Sequence, residues 1–154
     1  MPRFNRRLML CVVVGHLIGS PTAFAAEHAT KDEAKAMAIK AAALFRTKGA
    51  DAFAVLNDKK GSFVDRDLYV AVLDSGGNVM AHGANERLVG KALLKLQDAD
   101  GKYFVQELVG LVKANKAGWV EYRWVNPVTK EVEPKSSYVV SEGGYGFMVG
   151  AYSK

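Results

Sequence analysis

A chain of 154 residues with 49% hydrophobic content is long enough for one domain with its own core and short for two. Its single cysteine, Cys11, excludes a disulfide framework and a thiolate metal site, so apolar burial must hold the fold together. Of the net charge of +5, three charges are arginines at the extreme N-terminus; the +2 left without them, on scattered lysines, does not describe a nucleic-acid binder.

The chain opens on an export signal. Arg3, Arg6 and Arg7 form a positive n-region, Leu8 to Ile18 an eleven-residue apolar core, and Ala23-Phe24-Ala25 a small-x-small cleavage site. That core is too short for a spanning helix, which needs about 20 residues. Met9 stands where a twin-arginine signal usually has Phe, so the general secretory route is expected. Cleavage after Ala25 leaves residues 26–154 as a single domain, periplasmic or secreted. Three arginines and no acid leave with the signal, so the net charge falls from +5 to +2.

Thr30-Lys31-Asp32-Glu33 is a capping box that predicts a helix start. Ala34, Met37, Ala38, Ala41, Leu44 and Phe45 then recur at helical spacing, and Gly49 closes the helix in a left-handed conformation. Such a long helix also offers a surface for a homodimer. Asp51 to Asn57 reads as a second, short helix. His28, ahead of the cap, is expected in solvent. The unbroken apolar run Leu68 to Leu73 predicts a central strand covered on both faces. Ser75-Gly76-Gly77-Asn78 turns it into a returning strand at Val79 to His82.

Residues 83–101 read as a long surface connection with one helical turn near Leu93. Tyr103 to Lys113 is helical, with Asn115 and Gly118 closing it. Three strands follow at Trp119 to Val125, Lys135 to Glu142 and Tyr145 to Tyr152, joined at Asn126-Pro127 and Gly143-Gly144. Helices first and hairpins last give an α+β fold with one antiparallel sheet.

Several motifs match no catalytic or metal chemistry. Asp98-x-Asp100-Gly101 lacks the glycine and glutamate that a calcium loop needs later. Gly143-Gly144-Tyr145-Gly146 lacks dinucleotide spacing, and no nucleophile elbow is present. Two histidines after the signal give no metal cluster, and no cofactor is expected.

Asp67-Leu68-Tyr69-Val70, Ala81-His82-Gly83-Ala84-Asn85, Leu88-Val89-Gly90-Lys91 and Asp98-Ala99-Asp100-Gly101-Lys102 follow one another in a suggestive order. Trp119, Tyr122, Trp124, Asn126-Pro127 and Pro134-Lys135-Ser136-Ser137-Tyr138-Val139 complete it. Together they resemble the single Cache domain of the second type. Glu86 and Lys130-Glu131 depart from that pattern at two connections. The resemblance implies a PAS-like fold, with a long N-terminal helix on a roughly five-stranded antiparallel sheet that cups a ligand. It also implies a small organic acid as ligand and a sensory, non-enzymatic role. With no second apolar run of spanning length, that role needs a separate membrane receptor, kinase or transporter. The alternative is a structural or interaction protein on the same scaffold without a cavity.

On that reading, Lys135 projects into the cup and pairs with a carboxylate, and His82 donates a second bond, more strongly when protonated. Along the strand from Trp119, side chains alternate, so Val120, Tyr122 and Trp124 share the face that meets core or ligand. Trp119, Glu121 and Arg123 share the wetter face. Tyr122, Trp124 and Tyr138 are the candidate pocket walls, since each joins apolar area to one donor. Lys135 and Tyr138 have opposite parity. Either a bulge or twist brings both into one pocket, or one of them faces away.

Overall fold

A computed structural model describes residues 28–153 of the chain. The export signal expected over residues 1–25 lies outside the described residues. Thr30 starts the first helix, α1 (Lys31–Lys48), as predicted: its hydroxyl accepts from the Glu33 amide while the Glu33 carboxylate accepts from the Thr30 amide. Helix α1 buries Ala34, Ala38, Ala41 and Ala42, and these small side chains let it lie close against the sheet. Gly49 ends the helix at a φ of 57°, where a Cβ would be strained. The second helix is split into a 3-10 turn, Gly49–Asp51, and α2, Ala52–Leu56.

Six strands follow: β1 (Val64–Asp65), β2 (Leu68–Asp74), β3 (Val79–His82), β4 (Gly118–Val125), β5 (Val132–Glu142) and β6 (Tyr145–Tyr152). They form one antiparallel sheet in the order β1-β2-β6-β5-β4, with β3 also paired to β2. The sixth strand is the two-residue β1, too short to carry a periodicity signal. Strand β2 is covered on both faces, as its apolar run predicts. Leu68, Val70, Val72, Phe147 and Val149 face α1. Phe45, Phe53, Tyr145 and Phe147 extend that layer, with neighbouring rings 5.2–5.5 Å apart.

The opposite face is covered by α3 (Phe104–Lys113), which packs Phe104, Val105, Leu108 and Val109 with Val120, Val139 and Met148. Its positive-φ terminus is Asn115, while Gly118 opens β4 instead of closing the helix. The connection over residues 83–101 differs from expectation. Its one helical turn is a 3-10 turn at Glu86–Leu88, because Asn85 caps it by accepting from the Arg87 amide. The following segment pairs with β3 and its turn: Val79 donates to Lys91, Gly90 to Val79, and Leu93 to Gly77. Asp98 ends it by accepting from Asp100, Lys102 and, on β4, Arg123. Those bonds hold the segment as a cap over one corner of the sheet.

His28 does not stand in solvent. Its Nδ1 lies 2.9 Å from Asp67, a fully buried carboxylate that also accepts from the Ala29 amide. Asn126 donates to Asp67 and, more closely, to Glu133 at 2.8 Å. Burying Asp67 without these donors would be prohibitive, so the cluster fixes the entry of α1 to β2 and to the β4–β5 turn.

Candidate ligand-binding site

Strand register assembles the site. Tyr122 on β4 pairs with Lys135 on β5, which pairs with Tyr152 on β6. Directly paired residues share a face, so these three side chains stand in one row beneath the cap. Lys135 then reaches across β6 towards β2, where its Nζ donates to the Tyr69 hydroxyl at 2.7 Å. Crossing a strand leaves no room for a side chain on it. A Cβ at Gly150 would lie 2.2 Å from Lys135 Cε and 2.4 Å from Ser137 Oγ, so the glycine is what allows the lysine to lie there.

The amine is buried, only 4% of the residue being exposed. Nζ lies 4.0 Å from the centre of the Tyr69 ring and 4.7 Å from that of Tyr152. Among the described residues no carboxylate forms an ion pair with it. Burial lowers its pKa from 10.5 to about 7, and the field of Asp67 opposes the fall. The two ring faces favour the charged form as well. Proton positions along the row are fixed by one terminal acceptor. Tyr152 donates to the Val125 carbonyl at 2.9 Å, so its oxygen receives the Tyr69 hydrogen at 3.3 Å, and Tyr69 in turn receives Lys135. Burial raises the pKa of both tyrosines, which keeps them neutral.

His82 completes the polar edge. Its Nδ1 accepts from the amides of Ala84 and Asn85 at 3.3 and 2.9 Å. The hydrogen of the neutral ring therefore sits on Nε2. Burial and the nearby Lys135 lower its pKa to about 3. Donation strengthened by protonation, expected from the sequence, therefore falls outside the pH range in which small acids are ionised. A neutral His82 already presents a fixed donor.

These groups border a recess of about 40 Å³, floored by Ala71, Leu73, Val79, Leu88, Leu93 and Met148. Outside it lies a vestibule of about 300 Å³ edged by Asn85, Val125, Pro127 and Lys130. Tyr122 faces the recess, its hydroxyl 2.9 Å from Ser137 and its ring stacked on Phe104 at 4.2 Å. Burial pushes the Tyr122 pKa up to about 12. Trp124 borders both spaces.

The structure thus brings together four of the five residues singled out from the sequence: His82, Tyr122, Trp124 and Lys135. Tyr138 is the exception. It lies on the α1 face of the sheet, 4.9 Å from Trp119 and beneath the Lys35 amine. Strand β5 runs without a bulge against β4 and β6, so residues 135 and 138 face opposite sides. Sequence reasoning missed Tyr69, Ser137, Gly150 and Tyr152. Tyr69 shares parity with Ala71 and Leu73, a signal hidden inside the apolar run.

Known proteins resemble this chain in sequence and fold. Residues 19–154 match the family described as Single Cache domain 2. A methyl-accepting chemotaxis protein of Pseudomonas putida, McpP, is 33% identical over 87 residues, 56% of this chain and 16% of that protein. The sensor histidine kinase MctS of Rhizobium johnstonii is 34% identical over 85 residues, 55% of this chain and 18% of that protein. The matched region is under a fifth of the length of either relative.

Among solved structures, a periplasmic sensor domain of a chemotaxis protein superposes with a TM-score of 0.62 at 26% identity, over 80% of this chain and 90% of that one. A Cache chemosensory domain solved for carboxylic acid recognition gives 0.61 at 26% identity, over 80% and 88%. A Vibrio parahaemolyticus chemotaxis protein gives 0.68 at 22% identity, over 79% and 87%, a likeness of fold. No helix among the described residues is long and apolar enough to cross a membrane. With its match spanning residues 19–154, the protein belongs to the Single Cache domain 2 family of sensor domains.

Proposed function

We propose that this domain is exported, binds a small organic carboxylate in the Lys135 recess, and works with a separate membrane receptor, kinase or transporter. The observation that carries the reading is the Lys135 ammonium, buried in the recess and in no ion pair among the described residues. A buried charge of that kind is costly unless something neutralises it. A carboxylate would do so, and the Nε2 hydrogen of His82 would hold its second oxygen. Space for water-sized groups takes about 10–15 Å³ each, so about 40 Å³ admits a carboxylate with one or two further carbons. The similarity to a domain solved for carboxylic acid recognition supports the same ligand class.

One or two charge-assisted hydrogen bonds at about 1.5–3 kcal/mol each, with burial of the short chain, correspond to micromolar binding. Titration calorimetry against a panel of short acids, amines and sugars tests this. The expected result is saturable binding of one or more acids and a loss of at least tenfold in Lys135→Ala. A panel without any acid ligand, or an acid bound equally well by that variant, would remove the proposal.

A further inference from the structure

The inner recess and the vestibule are neighbours that differ several-fold in volume, about 40 and 300 Å³. Among the described residues, three side chains border both: Tyr69, His82 and Trp124. We propose that these three form a partition that sets the chain length of the bound acid, with Trp124 as its specificity-determining residue. The inference rests on the reading of the recess as a carboxylate site and adds a selection rule to it.

Two members of the partition are pinned by polar bonds. Tyr69 receives Lys135 and donates to Tyr152, while His82 holds two backbone amides and lies 4.8 Å from the Tyr69 ring. Their positions follow from the groups that would hold the carboxylate, so they cannot vary without losing the anion. Trp124 is hydrogen-bonded to Tyr69 but is not one of the groups that would hold the carboxylate. It is half-buried near the end of β4, 5.5 Å from the Phe104 ring and 6.4 Å from that of Tyr122. It presents bulk to both spaces, and β4 continues for only one residue beyond it.

With the carboxylate held by Lys135 and His82, the first carbons fill the recess over Leu88, Leu93 and Met148. Further methylenes have no space there, and the indole stands between them and the vestibule. A buried methylene is worth about 0.8 kcal/mol, roughly fourfold in affinity. An acid that cannot bury its methylenes forfeits that gain and displaces packed rings besides.

The test is a ladder of acetate, propionate, butyrate and pentanoate, titrated by calorimetry into the parent, Trp124→Phe and Trp124→Ala. The parent should bind best at two or three carbons and lose at least tenfold by pentanoate. Trp124→Ala should join the two spaces and reverse the order, with affinity rising about fourfold per added methylene. Trp124→Phe, which keeps an aromatic wall, should move the cut-off by about one carbon and serves as the decisive variant if the alanine variant does not fold. A ladder that keeps its parental order in every folded Trp124 variant overturns the partition while leaving the carboxylate site intact. Pentanoate bound as tightly as acetate by the parent also overturns it. Binding of no acid of any length by the parent overturns both readings together.

Discussion

Replacing Lys135 with methionine should make the unliganded protein more stable while abolishing acid binding. Methionine keeps the stem that lies across Gly150 and deletes the charge. A fall in pKa from 10.5 to about 7 corresponds to a penalty of about 5 kcal/mol for holding the charged amine in the fold. The folded value lies below the unfolded one, so between about pH 7 and 10.5 the unfolded chain binds more protons. Parent stability therefore rises with pH across that window, and below about pH 7 the full penalty applies. The lost bond to Tyr69 costs the variant about 1 kcal/mol.

The variant should thus lead by about 4 kcal/mol near pH 6. At about 3–5 °C per kcal/mol for a domain of this size, that is roughly 12–20 °C in Tm. Near pH 9 the penalty has shrunk to about 2 kcal/mol, the lead falls to about 1 kcal/mol, and the two proteins should melt within a few degrees. Thermal unfolding followed by circular dichroism, in buffers free of small carboxylates, reads both values. A variant less stable than its parent near pH 6, or a gap that does not narrow as pH rises, would refute the description of Lys135 as a buried cation held at a net cost.

Acid binding at about pH 8.5 should take up close to one proton per ligand, since the anion restores the charge on Lys135; calorimetry in buffers of different ionisation enthalpy measures it, and uptake near pH 6 should be close to zero. Between about pH 6.5 and 5.5 the affinity should stay level, because His82 titrates only near 3; a rise would mean that a protonated imidazole contributes. Gly150→Ala should weaken acid binding at least tenfold and destabilise the fold by about 1–3 kcal/mol, as the new methyl displaces the Lys135 stem. Mass spectrometry of the exported protein should give a chain beginning at Ala26; an uncleaved chain would instead favour a membrane-anchored form.

What was legible in the sequence was local. The capping box at Thr30, the alternation along β4 and the turn chemistry before β3 each depend on a few adjacent residues, and each appears as read. Lys135 was legible as a cation on a strand, but its reach to Tyr69 was not, because that depends on the β5–β6–β2 order and on a glycine fifteen positions away. Tyr152 enters through register alone. Tyr138 was included because aromatic type is visible in sequence and facing is not; regular pairing on both sides of β5 decides it. His28 was misplaced for a related reason, since its partner Asp67 lies 39 residues further along the chain.

Asp67 also accounts for why the recess keeps a cation that is in no ion pair among the described residues. It is fully buried and close enough to raise the proton affinity of Lys135 through its field. Its oxygens, however, are held by Ala29, His28 and Asn126 at the entry to α1. A carboxylate committed to those donors supplies field without contact, which favours the charged amine while leaving it open to a ligand. A direct Asp67–Lys135 ion pair would have stabilised the empty domain and closed the recess to an incoming anion. Asp67→Asn should therefore weaken acid binding although it touches no ligand, and the effect should grow as pH rises, because more of the amine is already neutral. Equal weakening at about pH 6 and pH 8.5 would instead assign Asp67 a purely structural role in anchoring α1.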